Sequence, residues 1–202
     1  MPNIKAFKRY PASVETRYWA GFMGADAWVH GDRVELELAE KDRGHVRKWA
    51  EFIGANYDET RERARAAVSS SELVHALEPF GIHQRKSQVY EAPWWLECDP
   101  HFWRGYVDGD GWIRSSERPG VGVCGTETIV EQFVKFCTFI THRTDGGPKI
   151  HSRGLNYAEV EFRRKKEVLA ILEALYYPRV KPVLKRKLEL ARKTIKQVKG
   201  KQ

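Results

Sequence analysis

The sequence predicts an α+β protein built twice over, each half running helix, two strands, helix, two strands, helix. Three observations predict it. Trp19-Ala20-Gly21-Phe22-Met23-Gly24-Ala25-Asp26-Ala27 and Trp103-Arg104-Gly105-Tyr106-Val107-Asp108-Gly109-Asp110-Gly111 share one pattern: large apolar, small, glycine, two apolar residues, a variable position, a small residue and aspartate. Each is followed at once by a strand-like aromatic step, at Trp28 and at Trp112. The same order of elements then recurs, with Asp26 and Asp110 84 residues apart, and a repeat at that spacing marks a duplicated unit. The halves divide as residues 1–98, including a connector, and 99–202.

In the first half, Lys5, Phe7, Lys8, Arg9 and Tyr10 form a basic, aromatic arm that either touches a polyanion or stays unstructured. Ser13 can cap the first motif helix. His30-Gly31-Asp32 reads as a tight turn, and after it Val34, Leu36 and Leu38 alternate with Arg33, Glu35 and Glu37, the period of a half-buried strand. Asp42 is expected to cap a helix apolar at Val46, Trp49 and Phe52-Ile53, ended by Gly54. Tyr57 to Ser69 reads as a hairpin in which Arg61, Arg63 and Arg65 project from one face. Ser69 to Ser71, with Glu72, open a short helix stopped by Gly81. An aromatic connector with Trp94 and Trp95, read as packing residues, leads to the second copy.

The second half repeats this. A strand from Trp112 to Ser116, a turn at Arg118-Pro119-Gly120 and a strand from Val121 to Gly125 precede a helix opened by Thr126 or Thr128 and apolar at Ile129, Phe133, Phe136, Phe139 and Ile140. A hairpin of Lys149 to Arg153 and Asn156 to Phe162 follows, then a helix from Lys165 to Tyr176 and a basic helix to the chain end. Arg85-Lys86 and Arg186-Lys187 recur near the end of each half.

The small residues carry the chemistry. Gly21 and Ala25, like Gly105 and Gly109, are four apart, so each pair lines one face of its helix and admits a second backbone. If the two motif helices pack on each other, Asp26 and Asp110 meet at their C-terminal ends. Two carboxylates so close repel unless a cation lies between them, and hard divalent ions take oxygen ligands of this kind. Asp110 could instead begin a calcium loop, but Trp112, Ile113 and Arg114 stand where such a loop needs acids.

Composition narrows the partners. A chain that is 42% hydrophobic and 12% aromatic builds a core and is no disordered tail. Lys and Arg number 35 against 27 Asp and Glu, a formal charge of +8, which suits a polyanion such as nucleic acid and equally suits solvated helix surface. Cys98, Cys124 and Cys137 have no metal-site spacing and cannot all pair, so a reduced, intracellular chain is expected. No apolar run reaches membrane length and no signal-peptide core opens the chain.

The paired stretches resemble the LAGLIDADG motif of the homing endonucleases, present twice as in the single-chain members. Gly24 stands where the first copy would carry the motif's earlier acid, and Ala27 replaces its closing glycine. The resemblance implies a monomeric, Mg²⁺-dependent endonuclease cutting double-stranded DNA at a long asymmetric site. It places the metal at Asp26 and Asp110, and basic residues near the scissile phosphates at Lys86 and Lys187. Glu40 falls where many members carry a water-ordering side chain, and Gly125 falls at the matching place in the second half. The two four-stranded faces would form a saddle along the major groove. By alternation, Trp28, Arg33, Glu35, Glu37, Arg61, Arg63 and Arg65 face DNA from the first half, and Arg114, Arg118, Lys149, His151 and Arg153 from the second. A non-cleaving DNA- or RNA-binding protein on the same scaffold, an intron maturase or a regulator, is the alternative. A structural protein without a nucleic-acid role is the third class.

Overall fold

The computed structural model describes residues 1–177 and 181–200. The first half holds α1 (Lys5–Lys8), α2 (Val14–Asp26), β1 (Trp28–His30), β2 (Arg33–Ala39), α3 (Arg43–Ile53), β3 (Asn56–Glu59), β4 (Arg63–Ser69) and α4 (Ser71–Leu77). The second holds α5 (Pro100–Asp110), β5 (Gly111–Arg114), β6 (Gly120–Gly125), α6 (Glu127–Thr141), β7 (His151–Gly154), β8 (Tyr157–Phe162), α7 (Lys165–Tyr176) and α8 (Lys185–Lys199). Lys201 and Gln202, at the end of the expected basic helix, lie outside the described residues. The sheets are antiparallel with matching strand orders, β1-β2-β4-β3 and β5-β6-β8-β7. Duplication is therefore real at the level of topology.

Local chemistry explains most boundaries. The Ser13 hydroxyl accepts from the Thr16 N–H, Ser70 from Leu73, Asp99 from His101 and Phe102, and Thr126 from Ile129, each satisfying an otherwise orphaned first-turn donor. Gly54 ends α3 at φ 74°, a left-handed conformation that glycine adopts without steric cost. In β2, Val34 and Leu36 are buried while Glu37 is exposed, as the alternation requires. Helices cover one face of each sheet: α3 packs on β2, β3 and β4, while α6 and α7 pack on β6. Trp19, Phe22, Trp49, Trp103, Phe133 and Phe162 fill the layer between and are fully buried.

Several expectations change. Asp42 precedes α3 but makes no cap bond. Arg61 lies in the bend between β3 and β4, and Lys149 lies ahead of β7, so neither is a strand residue. The N-terminal arm is tied down: Phe7 is buried edge-on against Phe52 and Phe80, and Asn3 donates its N–H to Ile53 O. Trp95 packs on Phe80, whereas Trp94, expected to pack, is 84% exposed. Phe139, assigned to the apolar face of α6, is 72% exposed because at about 100° per residue it turns away from the face of Phe133, Phe136 and Ile140 that packs on the core. No described helix is long and apolar enough to cross a membrane.

Candidate active site and nucleic-acid interface

The site begins at the crossing of α2 and α5. A Cβ on Gly21 would lie 2.0 Å from Phe102 O, and one on Gly105 would lie 2.0 Å from Tyr18 O. Backbone therefore touches backbone, which only glycine permits. One turn on, a Cβ on Gly109 would meet the Ala25 methyl at 2.5 Å and Asp26 Oδ2 at 3.0 Å. The seam thus delivers Asp26 and Asp110 to the same end. Burial, and then the Asp110 carboxylate, push Asp26 up to about 7. Burial raises Asp110 as well.

Each motif helix ends on a buried lysine. Lys86 Nζ donates to Gly24 O at 2.7 Å and Ala25 O at 3.2 Å, and Lys187 Nζ donates to Val107 O at 2.7 Å and to Gly111 O. The lysines are 6% and 3% exposed. Lys86 satisfies carbonyls that a helix C-terminus leaves unpaired, Lys187 adds a second donor to Val107 O, and at both ends the helix dipole favours a cation. Burial lowers both ammonium groups to about 8, against the pull of the aspartates. Two carboxylates and two ammonium groups therefore share one partly desolvated pocket.

That balance has a consequence without any ligand. A carboxyl raised from 3.8 to about 7 holds a proton that the unfolded chain has released, so it destabilises the fold increasingly as pH rises from about 4 to about 7. Asp26→Asn is expected to melt at a higher temperature than the parent in EDTA at pH 8, by on the order of 2 kcal/mol, and to match it near pH 4. Parallel melting curves at the two pH values check this.

Among the described residues no group of three or more His, Cys, Asp or Glu could hold a metal ion. The side-chain donors are thus the two aspartates alone. Two carboxylates of this kind suit a hard divalent ion whose remaining ligands are carbonyls and water. Glu40 is not drawn into the pocket: its carboxylate pairs with Arg43, and it is not among the charges that shift Asp26 or Asp110. Gly125 sits at φ 156°, where a Cβ would lie 2.2 Å from Tyr106 Oη, so no side chain can stand there.

A network that the sequence reading missed supports the seam. Asp108, fully buried, accepts from Tyr18 Oη, Tyr176 Oη and the Leu184 N–H, each at 2.7 Å. Tyr18 also meets His45 Nε2 at 2.9 Å. Burial holds Asp108 above the ordinary carboxylate range. Its counterpart is Gly24 because the Tyr90 ring fills that space: a Cβ there would be 2.0 Å from Tyr90 Oη. The one readable signal was that only the second copy keeps the earlier acid.

The outward faces of the two sheets differ. In the first, Arg63 pairs with Glu37, and Arg33 and Arg65 both pair with Glu35, so these candidates form a cross-strand lattice. Trp28, 53% exposed, stacks on His30 with ring centroids 5.2 Å apart. Arg61 lies in the exposed β3–β4 turn. In the second sheet the outward positions of β6 include Gly120 and Gly122. A Cβ at Gly122 would meet Val160 O at 2.3 Å and the Trp112 ring at 2.5 Å, and one at Gly120 would meet Glu161 Oε1 at 2.4 Å. Glu161 gathers Trp112 Nε1, Arg114 and Arg163. A hollow of about 790 Å³ on this face is lined by β5, β7 and β8 and their flanks, through Trp112, Arg114, Lys149, His151, Arg153 and Glu159. Arg118 lies in the turn between β5 and β6.

Solved structures share this architecture. The chain aligns over 91% of its length with 91% of the LAGLIDADG meganuclease I-AabMI bound to uncleaved DNA, with a TM-score of 0.59 and 12% identity. The chain has the LAGLIDADG fold. It also aligns over 92% of its length with 91% of the homing endonuclease I-GzeII in complex with its DNA target (TM-score 0.57, 10% identity). A third match is meganuclease I-CpaMI bound to uncleaved DNA, covering 91% of this chain and 96% of that one (TM-score 0.54, 10% identity). No protein-family model and no curated protein matches the sequence. The LAGLIDADG fold is thus shared with these structures at 10–12% sequence identity.

Proposed function

We propose that the chain is a monomeric, site-specific endonuclease that hydrolyses both strands of a long asymmetric DNA target with Mg²⁺. The observation that carries this reading is the carboxylate pair at the foot of a glycine seam, flanked by one buried lysine from each half and set between two outward-facing sheets. Solved neighbours with the same fold are DNA complexes of meganucleases. On this reading residues 1–98 and 99–202 are the half-domains, each reading one side of the target in the major groove.

Asp26 and Asp110 would hold divalent ions, and when bound such ions supply charge stabilisation at phosphorus and activation of water. Desolvation raises both carboxyls, and Asp26 and Asp110 would be charged when they hold an ion. Lys86 and Lys187, anchored on helix-terminal carbonyls, keep an ammonium group beside each scissile phosphate. With values of about 8 they stay mostly protonated at neutral pH and neutralise charge as it develops. Trp28, Arg33, Glu35, Glu37, Arg61, Arg63 and Arg65 would meet DNA from one side, and Arg114, Arg118, Lys149, His151 and Arg153 from the other. An arginine already paired to glutamate must exchange that partner for a guanine edge or phosphate, so wrong sequences leave a buried charge unpaired.

A supercoiled plasmid carrying the gene's own locus with the reading frame deleted tests the reading. Incubation with Mg²⁺ should give one linear product, and EDTA should abolish it. Glu40 tied to Arg43 and a bare Gly125 favour the second reading, a DNA- or RNA-binding protein that does not cut. That reading predicts a salt-dependent gel shift without cleavage. Lys187→Ala should slow cutting by about 100-fold while changing DNA affinity less than about threefold. Single-turnover cleavage and a filter-binding titration separate the two effects.

A further inference from the structure

We propose that Arg186 and Asp42 form a latch between the two halves that positions Lys187, so that one strand-cutting sub-site depends on a contact between the halves that the other lacks. This deepens the nuclease reading above and rests on it.

The evidence starts with an aspartate that forgoes its local role. Asp42 stands at the N-cap of α3, where its carboxylate could accept a first-turn N–H, a bond worth about 1 kcal/mol. It makes no such bond. Instead, 7% exposed, it accepts from Arg186 Nε at 3.0 and 2.8 Å, across 144 residues. A charge-assisted bond to a guanidinium is the stronger partner for a buried carboxylate.

Arg186 and Lys187 are consecutive in the first turn of α8 and point in different directions. One grips the β2–α3 junction of the first half, the other the end of α5 in the second. Successive helix residues lie about 100° apart, so the turn cannot rotate without breaking one grip. The same turn has no side-chain cap of its own, and the Leu184 N–H ahead of it goes to Asp108. Lys187 is therefore a positioned group, and Arg186 is a positioning residue.

The other half lacks the device. Arg85 makes no side-chain hydrogen bond or ion pair among the described residues. The N-cap residue matching Asp42 is Thr126, an uncharged residue that does cap, accepting from Ile129 at 3.2 Å and donating its hydroxyl to Tyr90 O. Lys86 sits on a single 3-10 turn (Lys86–Gln88) of the connector, not on a helix.

Strand-resolved cleavage tests the latch on the plasmid named above. Arg186→Gln should accumulate nicked circles, with the second cut slowed by about tenfold or more, since a displacement of about 1 Å costs that much. End-labelling should place the surviving nicks in one strand, and Asp42→Asn should spare the same strand. Arg186→Lys, which keeps the charge and is least able to perturb folding, should recover part of the second cut. Hydrogen exchange of the free protein gives a readout without DNA or metal: amides of residues 184–190 should exchange faster in Arg186→Gln, and those of α3 to a lesser degree. Nicks shared equally between strands, equal slowing of both cuts, or opposite strands spared by the two variants would overturn the latch, as would unchanged exchange at 184–190. A wild-type protein that left the plasmid supercoiled would defeat the nuclease reading alone, and the exchange result would still decide whether the latch holds α8.

Discussion

Asp26→Asn or Asp110→Asn is expected to abolish double-strand cleavage and leave DNA affinity within about threefold of the parent. Among the described residues no third acidic, His or Cys side chain joins the two carboxylates as a metal-holding group, and burial raises both. Either amide keeps the shape of the site and removes half of its negative charge, so binding through the sheet faces persists while ion capture fails. A second readout does not need DNA. Mg²⁺ at 100 times its dissociation constant should stabilise the parent by about 2.7 kcal/mol, and should give neither variant a comparable shift. The amide variant that gains stability in EDTA at pH 8 is thus the one that gains nothing from Mg²⁺. A variant that still cut both strands at the parental rate would remove the aspartates from the chemistry.

Gly105→Ala should be the most damaging single-methyl substitution in the chain, with Gly21→Ala close behind. Alanine in a helix interior is worth about 1 kcal/mol over glycine. Here the added methyl would meet a carbonyl oxygen of the facing helix at 2.0 Å, and backbone on both sides cannot yield as a flexible side chain would. The helices must separate, loosening Trp19, Phe22 and Trp103 and the Asp26–Asp110 approach together. Destabilisation of more than about 3 kcal/mol is expected, with insoluble expression as the extreme outcome. Gly44→Ala is the control, because nothing lies within 4 Å of its added Cβ, and it should be neutral or stabilising by up to about 1 kcal/mol. Urea titration of the three variants gives the comparison.

The seam, the duplicated topology and the outward arginines were legible because they rest on local spacing: glycines four apart, alternation at period two, and serine or threonine ahead of an apolar run. What escaped rests on partners far apart in sequence. Asp42 reads as a cap by its neighbours, and only folding brings Arg186 to it. Alternation told which face Arg63 and Arg65 occupy, but register decides that they pair with Glu37 and Glu35. Arg61 failed because the turn runs on through Glu62 and β4 begins only at Arg63. Trp94 failed because a large apolar residue is more often buried than not. The Tyr18, Asp108 and Tyr176 cluster joins three segments, and no periodicity links them.

The bare middle of the second sheet has a practical side. Anyone reprogramming the protein toward a new target would find the halves unequal as starting material. In the first sheet the outward positions of β2 already carry the side chains Arg33, Glu35 and Glu37. In the second, Gly122 refuses one because the β8 backbone and the Trp112 ring occupy the space, and Gly120 takes one only if the Glu161 carboxylate moves aside. Libraries aimed at that side of the target must vary β5, β7 and β8, and must move Trp112 and Glu161 as a unit.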